Sequence, residues 1–145
     1  MRGETRQHRR VGRESERWRC RGIEPSRGYR VVTGLRLGAG LWCLPCGYVE
    51  WDEDVREAAA REALEEAGVA VEIGEVVHVA TNRHEAERPT VGIWFAARMI
   101  DPRAQPQAGD DAVAAGWFDP AVPPPLAFPT DAPVLARLAA QRARR

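Results

Sequence analysis

The chain has 145 residues (16.1 kDa), with 21 basic and 21 acidic side chains and a formal net charge of zero. At that length one domain with its own apolar core is expected, with no need of disulfide or metal staples. The neutral total excludes a uniformly basic nucleic-acid binder. It is also a sum of unlike parts: residues 1–40 carry 11 Arg against 4 Glu, and residues 41–145 carry 10 Arg against 17 acids.

Every basic residue is arginine, and no run of about 18 apolar residues exists that could span a membrane. The stretch Met1–Arg21 is polar and arginine-rich with no apolar centre, so it does not read as a secretory signal. Three cysteines, Cys20, Cys43 and Cys46, make no disulfide framework. A reducing cytoplasm is therefore the expected setting.

Residues 1–28 show neither helical nor strand periodicity, with Val11, Trp18, Cys20 and Ile23 as their scattered apolar content. They read as a disordered basic leader, and residues 29–145 as the folded domain. Tyr29–Thr33 and Leu35–Leu37 are short strand material. Leu41–Pro45 is a compact apolar run that ends in a turn at Pro45–Gly47. Asp52–Ala67 predicts a helix, with Asp52 as N-cap, acids in the first turn, a stripe of Val55, Ala59 and Ala63, and Gly68 as the stop.

Val69, Val71 and Ile73 alternate as a half-buried strand, and Val76–Val79 resumes after Gly74. Thr90–Ile100 is β-branched and aromatic and predicts a strand buried on both faces. Asp101–Asp110 is a loop, Val113–Phe118 a further strand, and Pro133–Arg145 a closing helix. Strands on both sides of a central helix, with a helix at the end, predict an α/β fold of α+β layers around one core.

The stretch Gly47–Val69 carries the chemistry. Residues three and four apart share a helix face, so Glu62, Glu65 and Glu66 project as one carboxylate cluster, with Glu53 and Glu57 further up. Packed like charges repel unless a cation compensates. Such a cluster suits a hard divalent ion, Mg²⁺ or Mn²⁺, bound through carboxylates, waters and substrate phosphates. Arg61 is the one cation inside the cluster and is better placed to orient a carboxylate than to bind substrate. A solvated acidic face is the ordinary reading of a charged helix. Here the fixed order of Gly47, Glu53, Arg61, Glu62, Glu65, Glu66 and Gly68 outweighs it. Seven matches at set spacing arise by chance on the order of once in 10⁸ start positions, for residue types each used at roughly 5–10%.

That pattern resembles the signature of the Nudix hydrolases, with all seven charged or glycine positions present and Ala63 where a larger aliphatic is usual. The resemblance implies an α/β/α sandwich with a mixed sheet, whose strand–loop–helix positions Mg²⁺ to hydrolyse a nucleoside diphosphate linked to another group. It implies that Glu62, Glu65 and Glu66 hold metal, that Gly47 lends its backbone carbonyl, and that Glu53 and Arg61 pair to brace the loop. Arg21–Gly28 is similar to a loop that in relatives leads almost directly into Leu41–Glu50, whereas here Tyr29–Gly40 intervene. The family also supplies an apolar strand upstream. Either the strand from Tyr29 to Leu37 takes that role, or the start of this chain departs from the pattern. Gly116–Phe118 and Pro125–Pro129 resemble the closing segment of members that cleave ADP-ribose, NADH or FAD. Asp111 stands in for a fourth metal-ligating acid.

The expected function is thus Mg²⁺-dependent hydrolysis of the pyrophosphate bond of an ADP-ribose-, NADH- or FAD-like substrate. The alternatives are a nucleoside triphosphate pyrophosphohydrolase and a non-catalytic nucleotide-binding regulator of the same fold. The partner is a small nucleotide, not nucleic acid or membrane, and the resemblance allows a homodimer. Cys43 and Cys46 lack two further ligands at zinc spacing and read as buried residues. His78 reads as a core or surface histidine, and His84 as part of a hairpin loop over Asn82–Arg88. Trp94, Phe95, Trp117 and Phe128 read as core, with stacking on a base as the functional alternative.

Overall fold

A computed structural model describes residues 18–21, 31–34, 40–84, 87–109 and 112–144 of the chain. The expectations at Tyr29, Arg30, Leu35–Leu37 and Asp111 lie outside these residues. Among these residues six strands and two helices follow in chain order: β1 (Trp18–Arg21), β2 (Val31–Gly34), β3 (Cys46–Tyr48), α1 (Val55–Ala67), β4 (Val71–Asn82), β5 (Thr90–Met99), β6 (Ala115–Phe118) and α2 (Ala132–Ala143). A 3-10 turn, Pro129–Asp131, leads into α2.

One sheet has the order β3-β1-β5-β4, and β2 pairs with β6 in a separate two-stranded sheet. β1 runs parallel to β5 and antiparallel to β3, so the larger sheet is mixed. Within the leader expected over residues 1–28, Trp18–Arg21 form an interior strand of the sheet. That placement settles the open choice upstream of the motif. β2 within Tyr29–Leu37 pairs with β6 rather than joining the main sheet, and β1 takes the place between β3 and β5.

Alternation along β5 divides the core into two layers, since neighbouring strand residues face opposite sides. Trp94 packs with Leu44 and with Val134, Leu135 and Leu138 of α2. Phe95, one residue on, packs with Ala58 and Ala59 of α1, and Ala97 and Met99 pack with Ala63 and Ala67. The helices therefore cover opposite faces of the sheet. Burying Trp94 and Phe95 completely removes water from two large aromatic surfaces and commits the central strand to both layers.

The N-cap of α1 lies two residues later than expected. Asp54, not Asp52, is the cap: its side chain accepts from the Arg56 N–H at 2.9 Å, and Glu57 reaches back to the Asp54 N–H at 2.9 Å. Asp54 has a glutamate three residues on to complete this box, and Asp52 has Val55 there. The helix ends at Gly68, which takes φ 66° in the left-handed region as its N–H returns to the last turn. β4 is one continuous strand through Gly74. The register with β5 shifts between Ile73 and Val76 and again between Val76 and His78, so the expected break is absorbed as bulges.

Candidate active site

β3 and α1 meet at the carboxylate cluster. Arg61 lies at its centre with every guanidinium N–H used. Nε donates to Glu53 Oε1 at 2.7 Å and Nη2 to Glu53 Oε2 at 2.9 Å. Nη2 also donates to the Tyr48 carbonyl at 3.1 Å, and Nη1 to Glu62 Oε1 at 2.8 Å and Glu65 Oε2 at 3.0 Å. These bonds use the five donors that a guanidinium offers.

Glu53 closes the other side of the bracket. Its Oε2 accepts from the Glu50 N–H at 3.1 Å, and its own N–H donates to the Glu50 carbonyl at 3.3 Å, so the loop between β3 and α1 is a closed turn fixed to the helix. The Arg61 hydrogen bond holds the Glu53 carboxyl below the usual carboxylate range, and Glu53 raises Arg61 in return. Burial pushes Glu62 the opposite way, upward, against the pull of Arg61. Glu62 is 13% exposed and Glu65 is 58% exposed, so the cluster grades from a shielded to an open end.

Gly47 faces this cluster directly. A Cβ at that position would lie 1.8 Å from Glu62 Oε1 and 2.0 Å from its carboxyl carbon, so the Glu62 carboxylate occupies the space a side chain would take. Glu66 turns toward the same strand, where its Oε2 accepts from the Cys46 N–H at 2.7 Å. The structure thus brings Gly47, Glu53, Arg61, Glu62 and Glu65 together, and joins Glu66 to the start of β3. Among the described residues no three His, Cys, Asp or Glu groups are arranged as a metal cage. Arg61 gathers Glu62 and Glu65, while the Cys46 N–H meets Glu66.

The donor set still fits a hard divalent cation. Three carboxylates within two turns of α1 offer only oxygen, and the glycine cradle admits one of them against the strand backbone. Glu62, Glu65, Glu66 and the Gly47 carbonyl are the groups that would hold it. Asp111, the expected fourth acid, is outside the described residues.

Sequence reasoning missed two backbone partners here, the Tyr48 carbonyl and the Cys46 N–H. Their signal was only their adjacency to Gly47. Cys43 and Cys46 are both buried, packed with Ala127 and Phe128. His78 lies against Trp94, ring centroids 5.1 Å apart, and His84 against Phe128 at 4.8 Å. Trp117 packs on the α1 layer, and its indole N–H is buried with no acceptor among the described residues.

A family profile described as the NUDIX domain matches residues 28–138. The ADP-ribose pyrophosphatase of Methanocaldococcus jannaschii is 36% identical over 90 residues, 61% of this chain and 52% of that protein. The CTP pyrophosphohydrolase of Escherichia coli (strain K12) is 37% identical over 109 residues, 74% of this chain and 77% of that protein. Among solved structures, a NUDIX hydrolase from Nitrosomonas europaea superposes with a TM-score of 0.75 at 28% identity, over 90% of this chain and 73% of that one. Three of the curated relatives are matched over only 31%, 52% and 56% of their own length. With the profile covering most of its residues and the acidic helix in place, the chain belongs to the NUDIX domain family.

Proposed function

We propose that this chain is a pyrophosphohydrolase that cleaves a phosphoanhydride bond of a small nucleotide with the help of Mg²⁺ or Mn²⁺. The observation that carries this reading is the Arg61 bracket. It ties the β3–α1 loop to the helix and holds Glu65 on the same guanidinium as Glu62, whose carboxylate fills the Gly47 cradle. A divalent ion at these carboxylates supplies neutralising charge for a pyrophosphate and activates water for attack on phosphorus.

The chain's own contribution is positioning and electrostatics, which is most of what phosphoryl transfer asks of a protein. Glu62, Glu65 and Glu66 offer the oxygen donors, and Glu53 with Arg61 keeps the helix and loop from moving apart. Cys43 and Cys46 are buried, so neither serves as a nucleophile, and hydrolysis by water is the consistent route. A binding module that has given up catalysis has no need of the three carboxylates. Their presence favours an enzyme.

For the substrate, the reading carried from the sequence is a nucleoside diphosphate linked to another group, such as ADP-ribose, NADH or FAD. The similarity to an ADP-ribose pyrophosphatase supports it. A nucleoside triphosphate is the second reading, favoured by similarity over a larger share of a CTP pyrophosphohydrolase. A panel with Mg²⁺ separates them. AMP release from ADP-ribose, NADH or FAD supports the first, and pyrophosphate release from triphosphates the second. No release from either group overturns the enzyme reading.

A further inference from the structure

We propose that Asp131 is a positioning residue for Glu66, acting through the loop that leads into β3. The proposal rests on the reading of Glu66 as a metal ligand. Asp131 ends the 3-10 turn before α2 and is wholly buried. A buried carboxyl persists only where donors meet it. Among the described residues the Trp94 indole Nε1 donates to Oδ1 at 3.0 Å, and the Leu44 N–H to Oδ2 at 3.4 Å.

Trp94 is the fixed point of this pair, since it is fully buried in the middle of β5. Asp131 passes that fixity to Leu44, 87 residues away in sequence. The same loop is held from its other end, where the Trp42 N–H donates to the Pro125 carbonyl at 2.9 Å and the Ala127 N–H to the Trp42 carbonyl at 2.7 Å. Two residues beyond Leu44, the Cys46 N–H meets Glu66 Oε2 at 2.7 Å. Leu44 and Cys46 are joined by at most about 7 Å of chain, and Pro45 between them has a fixed φ, which leaves few soft dihedrals to absorb a shift at Leu44. A short hydrogen bond to a carboxylate fixes both its orientation and its electron density, as outer partners do for metal ligands generally. Asp131 thus connects the α2 face of the sheet to the carboxylate cluster on the other face.

Asp131→Asn tests this, because an amide offers one acceptor oxygen to two N–H donors. The shorter Trp94 bond keeps the oxygen, and the Leu44 N–H then faces an NH₂ group. In the metal-free, nucleotide-free protein the Cys46 amide resonance is expected to move upfield, as it also does in Glu66→Gln, while the Trp94 indole resonance stays. Mn²⁺ affinity, measured without nucleotide, is expected to fall about tenfold. A folded Asp131→Asn protein with wild-type Cys46 resonance and Mn²⁺ affinity overturns the proposal.

Should that variant not fold, amide exchange in the wild-type protein decides. Leu44 and Cys46 are expected to exchange together, and exchange at Cys46 on the order of 100-fold faster than at Leu44 refutes the coupling. If Glu66→Gln leaves Mn²⁺ binding unchanged, the ligand reading fails. The Cys46 resonance still reports whether Asp131 sets the Glu66 carboxylate.

Discussion

Arg61 grips the Glu53 carboxylate with two parallel hydrogen bonds, Nε to Oε1 at 2.7 Å and Nη2 to Oε2 at 2.9 Å. The pair joins the loop after β3 to the middle of α1, eight residues on, and the remaining Arg61 donors reach Glu62, Glu65 and the Tyr48 carbonyl. One side chain therefore locks the loop and offsets the repulsion among the acids that the proposed activity needs.

Arg61→Lys keeps the charge and loses the planar fork. An ammonium group has three donors from a single point, against the five bonds that Arg61 makes to Glu53, Tyr48, Glu62 and Glu65. Metal-free stability is expected to drop by about 1.5–3 kcal/mol, the range for hydrogen bonds to charged groups. Urea unfolding of the two proteins measures it, and equal midpoints with equal slopes refute the bracket.

Glu53 also predicts an acid limb. Its carboxyl is held below the ordinary range by Arg61, so the folded state favours the ionised form. That contribution is complete above the unfolded carboxylate pKa and is lost as pH falls through the lowered, folded value. Unfolding midpoints against pH, in metal-free protein, should fall less steeply toward acid in Glu53→Gln than in wild type. Parallel curves contradict the assignment.

Gly47→Ala separates site from fold. The new Cβ would meet Glu62 Oε1 at 1.8 Å, and the carboxylate at the end of a flexible side chain can swing away from it. The fold is expected to survive with a loss of about 1 kcal/mol or less. Mn²⁺ affinity should fall about tenfold or more as Glu62 leaves the cradle. Unchanged affinity would show that the cradle has no part in binding.

The sequence announced α1 clearly because its signals are local: acids in the first turn, small residues at helical spacing, and a glycine stop. The shift of the cap from Asp52 to Asp54 was legible too, in the glutamate three residues after Asp54. Bulges in β4 were not, since Gly74 reads equally as a break, and only pairing with β5 decides. Trp18–Arg21 alternates apolar and charged residues, a strand pattern too short to stand out in an arginine-rich stretch. The carboxylates and Arg61 share one helix and so came with its periodicity. The Cys46 and Asp131 contacts join residues 20 and 87 apart in sequence, and no periodicity reports those.

β1 gives the fourth expectation. It lies between β3 and β5, so a chain lacking residues 1–21 loses hydrogen-bond partners on both neighbours. Such a truncation is expected to give an aggregating or unfolded product, seen as loss of a cooperative thermal transition by circular dichroism. A truncated chain that melts like the full one contradicts the central place of β1.

The most direct measurement is hydrolysis by Glu66→Gln in the presence of Mg²⁺, against whichever nucleotide the substrate panel returns. The glutamine still accepts from the Cys46 N–H, so the fold and melting temperature should be retained. Turnover should fall on the order of 100-fold or more, the scale of losing one electrostatic group from a reacting centre. Full activity in a folded Glu66→Gln protein would contradict the assignment of the acidic helix as the metal-binding, pyrophosphate-cleaving site.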